Sequence, residues 1–267
     1  MGFSEKLRGA VEKNDSLLCV GLDPDPARLP ASMTIAQFNR EIVDATKDLV
    51  CAYKPNLAFY EAEGLEGLKA LEETLSDIPS GIPVIGDSKR GDIGNTARMY
   101  AHSMFSVFGF DAATVNPYLG FDSVEPFTSY ADRHTFLLCR TSNRSASDFQ
   151  DLETDGRPVY EHVALKALEW NKSGNIGLVV GATYPKELER IRRLCPSMCL
   201  LVPGVGSQGG DLEQVVSKGT DRDGAGAIIN VSRAVLYASS EPDFARAARS
   251  AAHSLRDDIN RHRRPSR

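Results

Sequence analysis

Eight short apolar runs punctuate the chain: LLCVGLD (17–23), CAYKPNL (51–57), IPVIGDS (82–88), AATVNPY (112–118), TFLLCRT (135–141), IGLVVGA (176–182), CLLVPGV (199–205) and AGAIINV (225–231). Each is continuous rather than alternating, as expected of a parallel strand covered on both faces. Stretches with apolar residues at helical spacing lie between them. TIAQFNREIVDATKDLV starts with Thr34 as a candidate cap. GLEGLKALEETLSD, TARMYAHSMFSVF, SVEPFTSYA, PVYEHVALKALEWN, PKELERIRRL, DLEQVVS and PDFARAARSAAHSLRDDI follow. Strands alternating with helices predict a parallel sheet, and eight such units predict a closed α/β (β/α)₈ TIM barrel rather than an open doubly wound sheet. The 267 residues show no shift in composition. They read as one barrel domain over 1–267, since such barrels take about 250 residues.

Composition narrows the function classes. Hydrophobic content of 42% and charged content of 25% are those of a globular chain. A net charge of −5 leaves no overall basic field for nucleic acid or an anionic membrane. Only the tail, Arg261 to Arg267, is strongly basic; it is expected to be disordered and solvated. No apolar run approaches the roughly 18 residues of a membrane span. The opening MGFSEKLRGAVEKND is amphipathic and charged, unlike a signal peptide, and lacks the Ser or Thr of a myristoylation signal. Of five cysteines, Cys19, Cys51 and Cys139 lie in apolar runs and read as small hydrophobes, while Cys195 and Cys199 lack neighbours for a zinc site. A cytoplasmic location, with no nucleic-acid or membrane partner, is the expectation. His102 and His162 sit in helix patterns and are expected to face outward. Asp221-Arg222-Asp223-Gly224 lacks the EF-hand spacing and reads as a mobile acidic loop.

Polar residues cluster where the runs end. Asp23 follows the first, Lys54 lies in the second, Asp87 and Lys89 end the third, and Asn116 ends the fourth. Thr141-Ser142-Asn143 follows the fifth, GVGSQGG (204–210) the seventh, and Ser232-Arg233 the eighth. Strand C-termini carry the chemistry of such barrels. The glycine-rich loop can offer backbone N–H groups to a phosphate, and Arg233 a bidentate contact to the same oxygens. The third run ends in VIGDSKRGDIGNT (84–96). Residues two apart on a strand share a face, so Asp87 and Lys89 are expected to point together, with Lys54 in reach on the neighbouring strand. Asp92 lies beyond Gly91. An ion-pair network is the alternative, yet burying two Lys and two Asp brings little stability. No HExxH, Ser-His-Asp order or nucleophilic Cys setting is present.

Asp87, Lys89, Asp92-Ile93 and Thr96 resemble the D-x-K-x-x-D-I-x-x-T signature of the orotidine 5′-phosphate decarboxylase family. Asp23, Lys54, Ser142, the Pro203–Asp211 segment and Arg233 agree in order, so the resemblance covers essentially the whole chain. Lys89-Arg90-Gly91-Asp92, Asn116-Pro117-Tyr118 and the length look most like the longer bacterial branch. The resemblance implies decarboxylation of orotidine 5′-phosphate to UMP and CO₂, the last step of de novo UMP synthesis, with no metal or organic cofactor. Lys89 would protonate ring carbon C6, Asp87 would crowd the substrate carboxylate, and Lys54 and Asp92 would complete a Lys–Asp–Lys–Asp array. Asp92 and Thr96 would reach a neighbouring site across a homodimer. Asp23 and Lys54 would hold the ribose hydroxyls. Ser142 and Gln208 would read the pyrimidine, with Thr141 or Asn143 as alternatives to Ser142. Gln208 and Arg233, with Pro203 and backbone near Gly206 and Ser232, would grip the phosphate. Asn143–Arg157 and GVGSQGG are lid candidates. Three rivals remain. One is a metal-dependent phosphosugar decarboxylase or aldolase of the same superfamily, which would place Glu or Asp where Lys54 stands. Another is a Schiff-base aldolase, whose lysine the flanking Asp residues would keep protonated. The third is a non-catalytic nucleotide-binding barrel, expected to have lost some charged positions.

Overall fold

A computed structural model describes residues 1–205 and 211–263. Eight parallel strands form one sheet: β1 Leu18–Leu22, β2 Ala52–Pro55, β3 Ile85–Arg90, β4 Ala112–Val115, β5 His134–Arg140, β6 Ile176–Val180, β7 Leu200–Pro203 and β8 Ala227–Val231. Pairing runs β2-β1-β8-β7-β6-β5-β4-β3. Two single bridges, Tyr53 to Val84 and Asn56 to Asp87, bring β2 against β3 and close the ring. The predicted barrel is thus the observed one. Each apolar run holds a strand, although β3 begins later than its run and continues to Arg90.

The continuity of those runs follows from two layers of core. Along β1, Cys19 faces the barrel interior while Leu18, Val20 and Leu22 face the helices. This is the period-two alternation of a closed sheet, with both sets apolar. The interior is filled by Cys19, Cys51, Ala52, Ile85, Ala112, Phe136, Val179, Leu201 and Ile228. The predicted helices appear as α2 Ile35–Thr46, α4 Gly64–Asp77, α5 Gly94–His102, α6 Phe121–Thr128, α7 Val159–Trp170, α8 Pro185–Leu194, α9 Leu212–Gly219 and α11 Phe244–His262. Thr34 caps α2 as expected, in a reciprocal box with Gln37. Two short helices escaped the pattern, α3 Leu57–Glu61 and α10 Arg233–Leu236, as did a two-residue hairpin at 153–154 and 157–158.

Some local expectations change. The basic tail is helical through His262, because Ile259 is buried and Asn260 donates to the Asp15 carbonyl at 2.7 Å. Residues 264–267 lie outside the described residues. Asp221 closes a hydrogen-bonded turn, its Oδ1 accepting from the Asp223 and Ala225 amides, where a mobile loop was expected. His102 is exposed, but His162 is half-buried, with Nε2 2.8 Å from the Thr154 carbonyl. Cys19, Cys51, Cys139 and Cys195 are buried, and Cys199 partly so. No helix among the described residues is long and apolar enough to cross a membrane.

The amphipathic opening segment forms α1 Phe3–Asn14, which plugs the N-terminal end of the barrel. Phe3 stacks on His134 at 4.7 Å and meets Phe136 edge-on at 5.8 Å. Lys6 anchors the plug through Asp111 at 2.7 Å. Neither ring nitrogen of His134 has a hydrogen-bond partner among the described residues, and burial pushes its pKa down to about 3. The native ring therefore stays neutral while the unfolded one takes a proton near pH 6.5, so stability is lost as pH falls below that value. His134→Phe is expected to remove about 2–3 kcal/mol of the loss between pH 6.5 and 4, read from urea unfolding at each pH. Identical pH slopes for variant and parent would exclude this origin.

Candidate active site

A cavity of about 520 Å³ opens at the C-terminal mouth of the barrel. That is roomy enough for a nucleotide-sized ligand, since small-molecule sites run from about 300 to 1,000 Å³. Asp23, Lys54, Asp87, Lys89, Ser142, Pro203, Ser232 and Arg233 all line it. Eight predicted site residues from six segments of chain thus converge.

Its floor is an alternating set of charges. Lys54 Nζ lies 2.7 Å from Asp87 Oδ2, and Lys89 Nζ lies 2.5 Å from Asp87 Oδ1. Lys54 and Asp87 are 3% and 8% exposed, whereas the Lys89 side chain is 48% exposed. Burial alone would raise the Asp87 carboxyl, but Lys54 and Lys89 outweigh it and hold the group far below the usual carboxylate range. Burial alone would also neutralise Lys54. Asp87 and Asp23 outweigh that and keep its ammonium above the usual lysine range. Beneath the array, burial pushes the Cys19 thiol up to about 12, so it stays a neutral filler. One Asp23 carboxylate oxygen is buried without a hydrogen-bond partner among the described residues, in a residue that lines the cavity.

Asp87 and Lys89 do meet, but not by strand alternation. The β3–β4 register pairs Gly86 with Ala113 and Arg90 with Val115. Residues 87–89 therefore face Thr114 alone, a bulge that re-aims side chains. Lys89 sits at φ +49°, a left-handed conformation costing a non-glycine residue of order 1 kcal/mol. Thr114 compensates. Its Oγ1 accepts from the Ser88 and Lys89 amides at 3.0 and 2.9 Å and donates to Asp87 Oδ1 at 3.0 Å. Thr114 was not picked out from the sequence, although a lone hydroxyl inside AATV was the available signal. Asn116, the polar residue noted there, instead caps the turn at Tyr118. Asn230, a polar residue within AGAIINV, and Arg28 and Tyr237 also line the cavity unforeseen.

Other predicted residues stand apart. Asp92 is half-buried with Oδ1 accepting the Ile93 amide at 2.8 Å, and Thr96 is exposed in the first turn of α5; neither lines this cavity. Gly206 and Gln208 lie outside the described residues. Thr141 Oγ1 donates to Asn143 Oδ1 at 2.6 Å and accepts from Gln150 Nε2 at 2.8 Å, whereas Ser142 reaches the cavity. A larger cavity of about 730 Å³ lies at the other end of the barrel, beside α8 and α9. Its buried cation, Arg192, already donates to the carbonyls of Cys195, Pro196, Met198, Gly219 and Gly226.

The buried pair sets a stability test. Asp87→Asn strands Lys54 and is expected to lower the unfolding free energy by about 3 kcal/mol. Lys89→Met, at a half-exposed position, should change it by less than about 1 kcal/mol. Urea unfolding at neutral pH checks both, and equal effects would contradict the asymmetry.

Comparison with known proteins agrees with this geometry. The family model described as Orotidine 5′-phosphate decarboxylase / HUMPS family matches residues 16–249. The orotidine 5′-phosphate decarboxylase of Ralstonia pickettii is 54% identical over 270 residues, covering 98% of this chain and all of that one. The solved Leishmania donovani OMP decarboxylase shares 41% identity at a TM-score of 0.88, covering 98% of this chain and 99% of its own. The Leishmania donovani UMP synthase structure shares 43% identity at a TM-score of 0.90, this chain spanning 56% of its length. With a family model over most of its length and a near full-length relative above half identity, the chain belongs to the orotidine 5′-phosphate decarboxylase / HUMPS family.

Proposed function

We propose that this protein decarboxylates orotidine 5′-phosphate to UMP and CO₂, closing de novo pyrimidine synthesis. The observation that carries the proposal is the alternation of buried Lys54 and Asp87 with half-exposed Lys89 on the floor of a nucleotide-sized cavity. Relatives at 50–54% identity over nearly full length, named for this activity, support it.

Loss of CO₂ breaks the bond from C6 to the carboxyl carbon and leaves the electron pair on C6, where the ring offers no sink. A fixed cation is what such a site needs. Lys89 would face the developing carbanion, pass one Nζ proton to C6, and recover it from water at its half-exposed position. Asp87, ionised and immobile, would sit against the substrate carboxylate and favour its departure. Lys54 keeps Asp87 charged and, with Asp23, would bind ribose hydroxyls; the unpartnered Asp23 oxygen supports that role. Ser142 would read the pyrimidine edge with Gln208, since the Thr141 hydroxyl is engaged elsewhere. Arg233 and Gln208, with backbone at Gly206 and Ser232, would take the phosphate. Pro203 ends β7 and starts that loop. A grip so remote from C6 can contribute binding energy to organising the reacting centre.

The metal-dependent branch of the superfamily fits less well. Two ammonium groups flank Asp87, so a divalent cation there would meet like charge. The exposed apolar residues Ile93 and Met99 neighbour Asp92 and Thr96 along the chain. Such a patch supports a homodimer in which Asp92 and Thr96 complete the neighbour's site.

Lys89→Ala is expected to cut turnover at least about 1,000-fold while UMP still binds. Loss of orotidine 5′-phosphate absorbance in the presence of EDTA measures it, and near-normal turnover in the variant would sink the assignment. For the shared site, inactive Lys89→Ala and Asp92→Asn chains are mixed one to one. Random exchange puts one intact site in each hybrid dimer, so activity should recover to about a quarter of the parent value. No recovery, with subunit exchange verified, would exclude the crossing.

A further inference from the structure

We infer that Arg140 is a positioning residue for pyrimidine recognition. It ends β5 and is 1% exposed, the largest fully buried side chain in the molecule's described residues. Its guanidinium ties three pieces of chain together. Nη1 donates to the Thr141 carbonyl at 3.0 Å and to Gln150 Oε1 at 3.4 Å, and Nη2 donates to Asp151 Oδ2 at 3.1 Å. Its face covers the Tyr184 ring, 3.7 Å from the centroid, just before α8.

Gln150 completes the tie. Its Oε1 accepts from the Thr141 amide and its Nε2 donates to Thr141 Oγ1, each at 2.8 Å. The excursion from Thr141 to Asp151 is therefore pinned at its base, with Ser142 held just past the pin. The loop after β6 presses from the other side. Thr183 Oγ1 donates to the Ser142 carbonyl at 3.3 Å, and a methyl group on Gly181 would lie 2.7 Å from the Ser142 amide nitrogen.

A buried guanidinium is costly to desolvate, and an apolar side chain of similar size would usually stabilise as well or better. Asp151 is itself 42% exposed, so the ion pair contributes little stability. What Arg140 supplies is direction: these contacts go to the ends of one loop and to the ring that borders it. The inference rests on Ser142 reading the pyrimidine edge.

The test compares UMP with ribose 5-phosphate, which lacks the pyrimidine, as inhibitors of the full chain. Arg140→Met and Gln150→Ala should each weaken UMP about 10-fold and leave ribose 5-phosphate within about twofold. A purely structural role would move both probes together. Gln150→Ala leaves the buried cation in place and carries the test if Arg140→Met fails to fold. Ser142→Ala separates the two layers of the claim. If it weakens UMP while Arg140→Met and Gln150→Ala do not, the inference is overturned and the pyrimidine reading stands. If Ser142→Ala leaves UMP unchanged, the reading at Ser142 falls and the inference falls with it.

Discussion

Lys54 and Asp87 face each other at 2.7 Å between β2 and β3, both almost closed off from water. Two charges in that position are tolerable only if each has a full set of partners. Asp87 receives Lys54, Lys89 and the Thr114 hydroxyl; Lys54 is held charged by Asp87 and Asp23. The pair also stands where the ring closes through single bridges rather than a continuous ladder, one of them at Asp87 itself. The thinnest part of the sheet therefore carries its most demanding polar cluster.

The same cluster explains the irregular end of β3. A regular strand would set Lys89 one pleat beyond Asp87 and continue the ladder to β4. Instead three residues face one, and Lys89 takes a left-handed backbone. That strain persists because Thr114 supplies an acceptor to two amides and a donor to Asp87 in a single buried hydroxyl. The Lys89 backbone is thus fixed while its ammonium remains half-exposed, able to meet a ligand on one side and Asp87 on the other.

Most of this was legible in the residues. Eight continuous apolar runs carried the barrel, and charges leaving their C-terminal ends marked the mouth, because both patterns are set by burial along one chain. Thr114 was hidden for the opposite reason. Its role comes from facing a bulge on another strand, which no local spacing reports. Asn116 drew attention as a polar strand end, yet it acts locally on Tyr118. The engagement of the Thr141 hydroxyl by Gln150, folded back from further along the chain, is likewise invisible to local spacing. The helical end of the basic segment depended on Asn260 meeting Asp15, a contact across 245 positions.

One physical difference separates the two halves of the 84–96 segment. Before Gly91, side chains are drawn inward by buried partners of opposite charge. Beyond it, Asp92 turns back on its own backbone, and Ile93 and Met99 are left in water at about half exposure. Exposed apolar groups gain by association, and a carboxylate next to them would be carried into any interface they form. In the proposed dimer, hydrophobic contact and electrostatic completion are one event. Burying Ile93 and Met99 would bring a second carboxylate toward the exposed side of Lys89, whose carboxylate partner among the described residues is Asp87. Catalytic competence and assembly would then share a single free-energy term, and the site would be least complete in the monomer.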